Sequence, residues 1–371
     1  MHALRRTWHA ATLAVAVLAV GAGCSSEPKV DPPKEKFKAA WLYTTSPGDG
    51  GWTYAHDQGR KAALAALSDV DLTTLESVSD KADNAEGIKT KLKELITAGN
   101  KLIFAASFGF GAPMYELSAE YPDVKFEHCA GVKPTTDNFA TFFGRMYQAR
   151  YLSGVLAGRM SASGKLGYVA AFANNSQVIR GLNAFTLGAR KANPNATVEV
   201  RWTSTWFDVA VESAAAKELL AKGCDVLGQH QDSTATVMAA KDAGAYALGY
   251  DSDMVPYAPD TVLATPIFNW GTYYTDRVKA AQAGTWKTHK YWGDIGTGIV
   301  DLGPYGNKVP QAVKDEVAAA KKDLVDGKYD VFWGPIKKHD GTDWIAAGAK
   351  LTDAEMLSMT NFVEGVILPP P

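Results

Sequence analysis

The residues able to do chemistry fall into short clusters that pair aromatic rings with acids or amides. They are Asp49 and Trp52 within SPGDGGWTYAHDQ (46–58), Phe108 within Ser107–Phe110, and Trp206 with Phe207 within WTSTWFD (202–208). Gln229 within Gln229–Asp232, Asp251 within Tyr250–Asp253, and Asn269 with Trp270 after Phe268 complete the set. An indole or phenyl ring offers a flat face for stacking, and a carboxylate accepts hydrogen bonds from a ring N–H or an exocyclic amine. Together these groups suit capture of a planar heterocycle, and the same rings also stack on the face of a pyranose. Gly48, Gly50 and Gly51 let backbone N–H groups approach a ligand at a helix N-terminus. Each cluster has a plainer reading beside this one. Asp49 can be a turn and helix cap, a single aromatic can be core packing, and His230, between Gln229 and Gln231, can be a hydrogen-bonded structural histidine as well as a cleft residue.

Catalytic signatures are missing from the sequence after residue 23. It has no GxSxG elbow, HExxH, P-loop, CxxC or strand-following GxGxxG, and no two of its histidines stand four residues apart. Hydrolase, zinc-protease, kinase and dehydrogenase chemistry are disfavoured, and no metal or cofactor is expected. Two rivals of other classes stay open. One is an extracytoplasmic nucleosidase or deaminase, supported only by acids at strand exits. The other is a surface lipoprotein that binds proteins.

The clusters lie where strands end. Apolar, β-rich runs alternate with helical stretches: strands at 37–44, 71–78, 102–106 and 124–129, helices at 54–67 and 85–98. In the second half strands are expected at 165–171, 197–202, 225–228 and 246–250, with helices at 177–191, 209–222 and 233–242. Later segments read as a strand at 261–268, helices at 273–283 and 309–324, and a short strand at 329–333. Such alternation implies parallel sheets with helices on both faces, and ligands bind such sheets beyond the carboxyl ends of the strands. The fold class is therefore α/β, as two doubly wound lobes.

Bulk composition agrees. The chain has 371 residues, 38 Lys and Arg against 40 Asp and Glu, 46% hydrophobic residues and a formal charge of −2. This length suits two domains with real cores, and the charge lacks the basic footprint that nucleic acid requires. Residues 1–23 read as a signal peptide: Arg5 and Arg6 precede the uncharged run Ala10–Gly21, too short to span a bilayer. The run ends in VGAGC, which resembles a lipobox with Gly21 where Leu is usual, so Cys24 is the expected lipid attachment site. The plainer reading is a secretion signal cleaved nearby. Residues 24–36, rich in Pro, Lys and Glu, read as a solvated tether. Cys129 and Cys224 are expected as buried free thiols.

The stretches GDGGWTYAHDQGRK, YPDVKFEH, GCDVLGQHQDS, GYDSDM and WGPIKKHDG, in this order, resemble the BMP (basic membrane protein) family of bacterial lipoproteins. These are substrate-binding components of ABC importers and include purine nucleoside receptors. The resemblance covers roughly residues 37–368 and implies a type I periplasmic-binding-protein fold that closes by a hinge, with lobe 1 at 37–160 plus about 266–300. Lobe 2 and a C-terminal supplement then occupy 161–265 plus about 301–371. It also implies a purine held between aromatic rings, matched by Trp52 and by Trp206 or Phe207, with Asp49 and Asp251 at the family's acidic positions. Nucleoside-binding relatives often carry a ribose-contacting lysine where this chain reads Thr265–Trp270. Its absence turns the expectation toward a free nucleobase such as adenine, with Trp270 occupying or closing the vacated space. Nucleoside or sugar binding are the alternatives in the same fold. The implied partners are a purine, an ABC permease and the membrane through lipid on Cys24, with the protein a monomer.

Overall fold

The computed structural model describes residues 35–370; the expected leader, Cys24 and the tether up to residue 34 lie outside the described residues. Along the chain the elements run Phe37–Leu42 (β1), Trp52–Ala66 (α1), Val70–Leu75 (β2), Ala85–Thr97 (α2), Leu102–Ala105 (β3), Gly111–Ser118 (α3), Lys125–Cys129 (β4), Phe139–Gly144 (β5) and Met146–Met160 (α4). They continue as Lys165–Ala170 (β6), Ser176–Ala192 (α5), Thr197–Trp202 (β7), Val209–Ala221 (α6), Val226–His230 (β8), Ala235–Asp242 (α7), Tyr246–Leu248 (β9), Val262–Ala264 (β10) and Pro266–Phe268 (β11). Last come Trp270–Gln282 (α8), Lys290–Gly293 (β12), Val300–Leu302 (β13), Gln311–Val325 (α9), Ile336–Lys337 (β14), Asp343–Ile345 (β15), Asp353–Leu357 (α10) and Val366–Ile367 (β16).

Two parallel sheets result, ordered β12-β5-β4-β3-β1-β2 and β10-β9-β8-β6-β7-β16. In the first, Trp41 of β1 lies opposite Thr74 of β2 on one side and Phe104 of β3 on the other. Strands covered on both faces must be apolar throughout, and β5 (FATFFG) and β8 are buried at every position. Each sheet reverses its strand order once, between β1 and β3 in the first and between β6 and β8 in the second. Crevices open at such reversals, and the loops after β1, β3 and β8 carry the clusters read from the sequence.

The lobes are joined by the connection from β5 to α4, by that from β10 to β11, and by the return from β12 to β13. Between them β11 and β13 form a small antiparallel ribbon. It is packed so tightly on β5 that a Cβ on Gly144 would stand 2.4 Å from Val300 and 2.9 Å from Phe268. Helix α8 returns to the first sheet. There buried Glu127 accepts from Arg277 Nε at 2.5 Å, Trp286 Nε1 at 2.8 Å and Tyr273 Oη at 2.8 Å, so the charge is paired and its remaining acceptor capacity is used.

Three details differ from the sequence reading. Helix α4 falls inside the expected lobe 1 span of 37–160, yet it packs on α5 of the second sheet. A Cβ on Gly154 would stand 2.0 Å from the Phe185 carbonyl, and one on Gly188 would stand 2.0 Å from that of Tyr151. By packing, the chain changes lobes near Gly144. The expected strand at 261–268 is two strands in two sheets, because Thr265 lies at the crossover. The expected strand at 329–333 is a turn, with a single bridge from Trp333 to Lys350. Cys129 and Cys224 are free and buried.

Candidate ligand cleft between the lobes

The loop between β1 and α1 is built by Asp49. Its carboxylate accepts from Thr45 Oγ1 at 2.9 Å and from the backbone N–H groups of Gly51, Thr53 and Tyr54 at 3.0, 2.9 and 2.9 Å. This satisfies the open donors of the first turn of α1, as an acid before a helix does. The loop then meets the opposite lobe. Gly50, at φ +72°, lies against Tyr257, and a Cβ on Gly51 would stand 2.2 Å from the Asp232 carbonyl oxygen. Ser252 Oγ donates to the Gly50 carbonyl at 2.7 Å across the gap. The lobes are closed on each other here.

Trp52 projects from the start of α1 and is fixed by a 2.7 Å hydrogen bond from Nε1 to the Ala106 carbonyl, just past β3. His56, Phe268 and Trp270 meet its ring at 79°, 86° and 84°, and Phe143 meets it at 43°. Among the described residues no ring lies parallel to it. Trp206, on the other lobe, is alike: Phe172 and His230 meet it at 69° and 52°. The loop that carries Trp206 reaches the same meeting of the lobes, because Asp232, whose carbonyl faces Gly51, donates its N–H to the Trp206 carbonyl at 3.0 Å.

Trp270 has a different setting. His56 and Phe268 cover its ring in parallel, each at 4.5 Å with tilts of 11° and 13°, so it buttresses Trp52 from behind. Asn269 opens α8 and donates from Nδ2 to the Gly298 carbonyl at 3.0 Å. Phe108 and Phe207 are 59% and 42% exposed, so neither is a core residue. Gln229 is buried with its Nε2 directed at Met254 Sδ, 3.2 Å away, and its Oε1 unpartnered.

Asp251 stands apart. It is fully buried, its backbone sits at φ +68°, and both carboxylate oxygens lack a partner among the described residues. A left-handed backbone outside glycine is strained and tends to occur at functional sites. Burial pushes this carboxyl well above the usual range, opposed by the Arg150 guanidinium and reinforced by the charge of Asp49. Asp232 moves the same way through burial and then the neighbouring acids, Asp251 and Asp49 first.

Next to these groups is a small interlobe cavity of about 10 Å³ whose lining includes Phe143, Arg150, Arg180, His230 and Tyr250. Burial, aided by the two arginines, holds the His230 imidazole well below its ordinary pKa, so it is neutral near pH 7, and neither ring nitrogen has a partner among the described residues. Arg150 and Arg180 escape a reading confined to strand exits because they come from α4 and α5, facing the gap from the side. Among the described residues no group of three His, Cys, Asp or Glu could hold a metal ion, and no helix is long and apolar enough to cross a membrane.

Comparison with known proteins supplies context for this geometry. Residues 36–332 match the Bmp family model, described as ABC transporter substrate-binding protein PnrA-like. The chain is 43% identical over 334 residues to a purine-binding protein of Brucella abortus (strain 2308), covering 90% of this chain and 93% of that one. It is 36% identical over 332 residues to a Haloferax volcanii protein provisionally named an ABC transporter glucose-binding protein, covering 90% of this chain and 81% of the relative. A solved ABC transporter solute-binding protein from Conexibacter woesei superposes with a TM-score of 0.66 at 21% identity, over 79% of this chain and 98% of that one, and shares the fold.

Proposed function

Because the chain belongs to the Bmp family of PnrA-like ABC transporter substrate-binding proteins, we propose that it captures a purine, as the free base, in the cleft between its lobes. Proteins of this kind are extracytoplasmic, carry out no reaction and deliver a small molecule to a membrane permease. The observation that carries the ligand class is the pair of indoles, Trp52 and Trp206, one from each lobe and neither with a parallel ring partner among the described residues, together with the buried carboxyl of Asp251, which has no partner among them either. A planar heterocycle fills the stacking faces and supplies a donor to the acid. Each stacking contact contributes on the order of 1 kcal/mol beyond area burial.

Closure follows from differential contact. A ligand resting on one lobe gains its second ring and the bond from Ser252 to Gly50 only when the other lobe swings in, so binding favours the closed form. Lipid on Cys24 would hold the protein at the membrane as a monomer, within reach of its permease.

Sugar binding is the second reading, favoured by the name of the Haloferax relative. Absorbance of the molecule released by denaturing the purified protein separates the two. A purine gives an ultraviolet band, and its absence together with a released sugar refutes the proposal. Incubation with nucleosides followed by chromatography separates the enzyme reading: released base or an altered ring means enzyme, and recovery of the intact nucleoside means receptor.

A further inference from the structure

Among the polar groups lining the cavity, Arg150 is one that stacking leaves unused. Arg150 is 2% exposed. Its Nη1 donates to Tyr168 Oη at 2.5 Å and to the Gln229 carbonyl at 2.7 Å, both neutral acceptors. Its guanidinium carbon lies 3.8 Å from the centroid of the Tyr250 ring, which fixes the plane of the group. Nε and Nη2 have no partner among the described residues. On a guanidinium those two nitrogens are adjacent, and their N–H bonds form the parallel fork that meets two neighbouring acceptors at once. A cationic fork buried without an acceptor is unfavourable.

We propose that Arg150 reads the O6 and N7 edge of a 6-oxopurine, so that hypoxanthine, guanine or xanthine, rather than adenine, is the preferred ligand. This rests on the purine reading above and narrows it. A 6-oxopurine offers two adjacent acceptors along that edge, the arrangement that arginine forks engage bidentately. Adenine keeps N7 but places an amino group at position 6, which points donor at donor and leaves half of the fork unpaired. Asp251, buried without a partner among the described residues, accepts from the N1–H of a 6-oxopurine; its raised pKa lets it also serve adenine as an acid, so the discrimination rests on Arg150. His230, beside Arg150, adapts to either polarity through its tautomer. The adenine expectation came from one missing lysine and took no account of Arg150.

The test titrates hypoxanthine, adenine and 7-deazahypoxanthine calorimetrically into protein freed of ligand by unfolding and refolding. Hypoxanthine is expected to bind about 10- to 100-fold more tightly than adenine, and removing N7 is expected to weaken it about tenfold. Equal or tighter adenine binding, or no difference between hypoxanthine and its 7-deaza analogue, overturns the assignment of Arg150 while leaving purine binding intact. Failure of all three to bind overturns both readings. Arg150→Lys keeps the charge and removes the fork. It should lose about tenfold toward hypoxanthine and change adenine binding by less than about threefold, with thermal melting to confirm folding. The wild-type comparison decides the matter even if this variant does not fold.

Discussion

Gly51→Ala isolates lobe closure from everything else the cleft does. The added Cβ would stand 2.2 Å from the carbonyl oxygen of Asp232 and 2.7 Å from its carbon, both backbone atoms of the opposite lobe. Ordinary contact needs roughly 3.5 Å, so the lobes would have to stay about 1 Å apart at this point. Overpacking of that kind costs about 1–3 kcal/mol. The clash exists only when the lobes meet, so the cost falls on the closed form and emerges as a loss of about 5- to 150-fold in affinity. The bond from Ser252 to Gly50, stretched by the same retreat, adds to the loss. Gly48→Ala is the matched control, because a Cβ there meets only Ser46 Oγ at 3.7 Å. Titration calorimetry with a purine panel reads the affinity, and small-angle scattering with and without ligand reads the compaction. Wild-type affinity in Gly51→Ala, or an equal loss in Gly48→Ala, would refute the idea that this loop closes on Asp232 to hold the ligand.

Two further outcomes bear on stability. Gly188→Ala should destabilise the protein by about 1–3 kcal/mol in urea unfolding, despite the better helix propensity of Ala, because its Cβ would stand 2.0 Å from the Tyr151 carbonyl where α4 crosses α5. Glu212 accepts from Ser233 Oγ and from the Asp208 N–H in a buried setting, and burial raises its carboxyl from 4.5 to about 6. The protonated form is thus the one the fold favours. Its contribution is complete below about pH 4.5 and is lost as pH rises through about 6, by at most about 2 kcal/mol. Glu212→Gln, which cannot ionise, should match wild type near pH 4 and gain relative stability by pH 7.5. Parallel unfolding curves at both pH values would contradict this.

Much of the architecture was legible because parallel strands covered on both faces must be apolar throughout, and runs such as LIFA and KLGYVA stand out between amphipathic helices. Helix α4 was not legible, for the same physical reason in reverse. Every residue from Met146 to Gly158 is buried, so it has no polar face and no helical periodicity to detect. That silence also hid where the chain changes lobes. At the cleft, the rule that ligands gather beyond strand ends pointed to Trp52, Trp206 and Asp251, whose loops the fold brings to the meeting of the lobes. It could not tell which rings are already stacked on by a neighbour. Trp270 is covered by His56 and Phe268, and only packing reveals that. Asp49 takes the plainer of its two readings, at least toward the protein, since its carboxylate is engaged by four local donors. Arg150 was invisible because a charged residue in the middle of a helix carries no signal of where its side chain ends.

The most direct measurement is a crystal structure of this protein with its purine. The account predicts the base plane between Trp52 and Trp206, parallel to both indoles, with a ring N–H directed at Asp251. A base bound elsewhere, or one lying edge-on to those two rings, would contradict it.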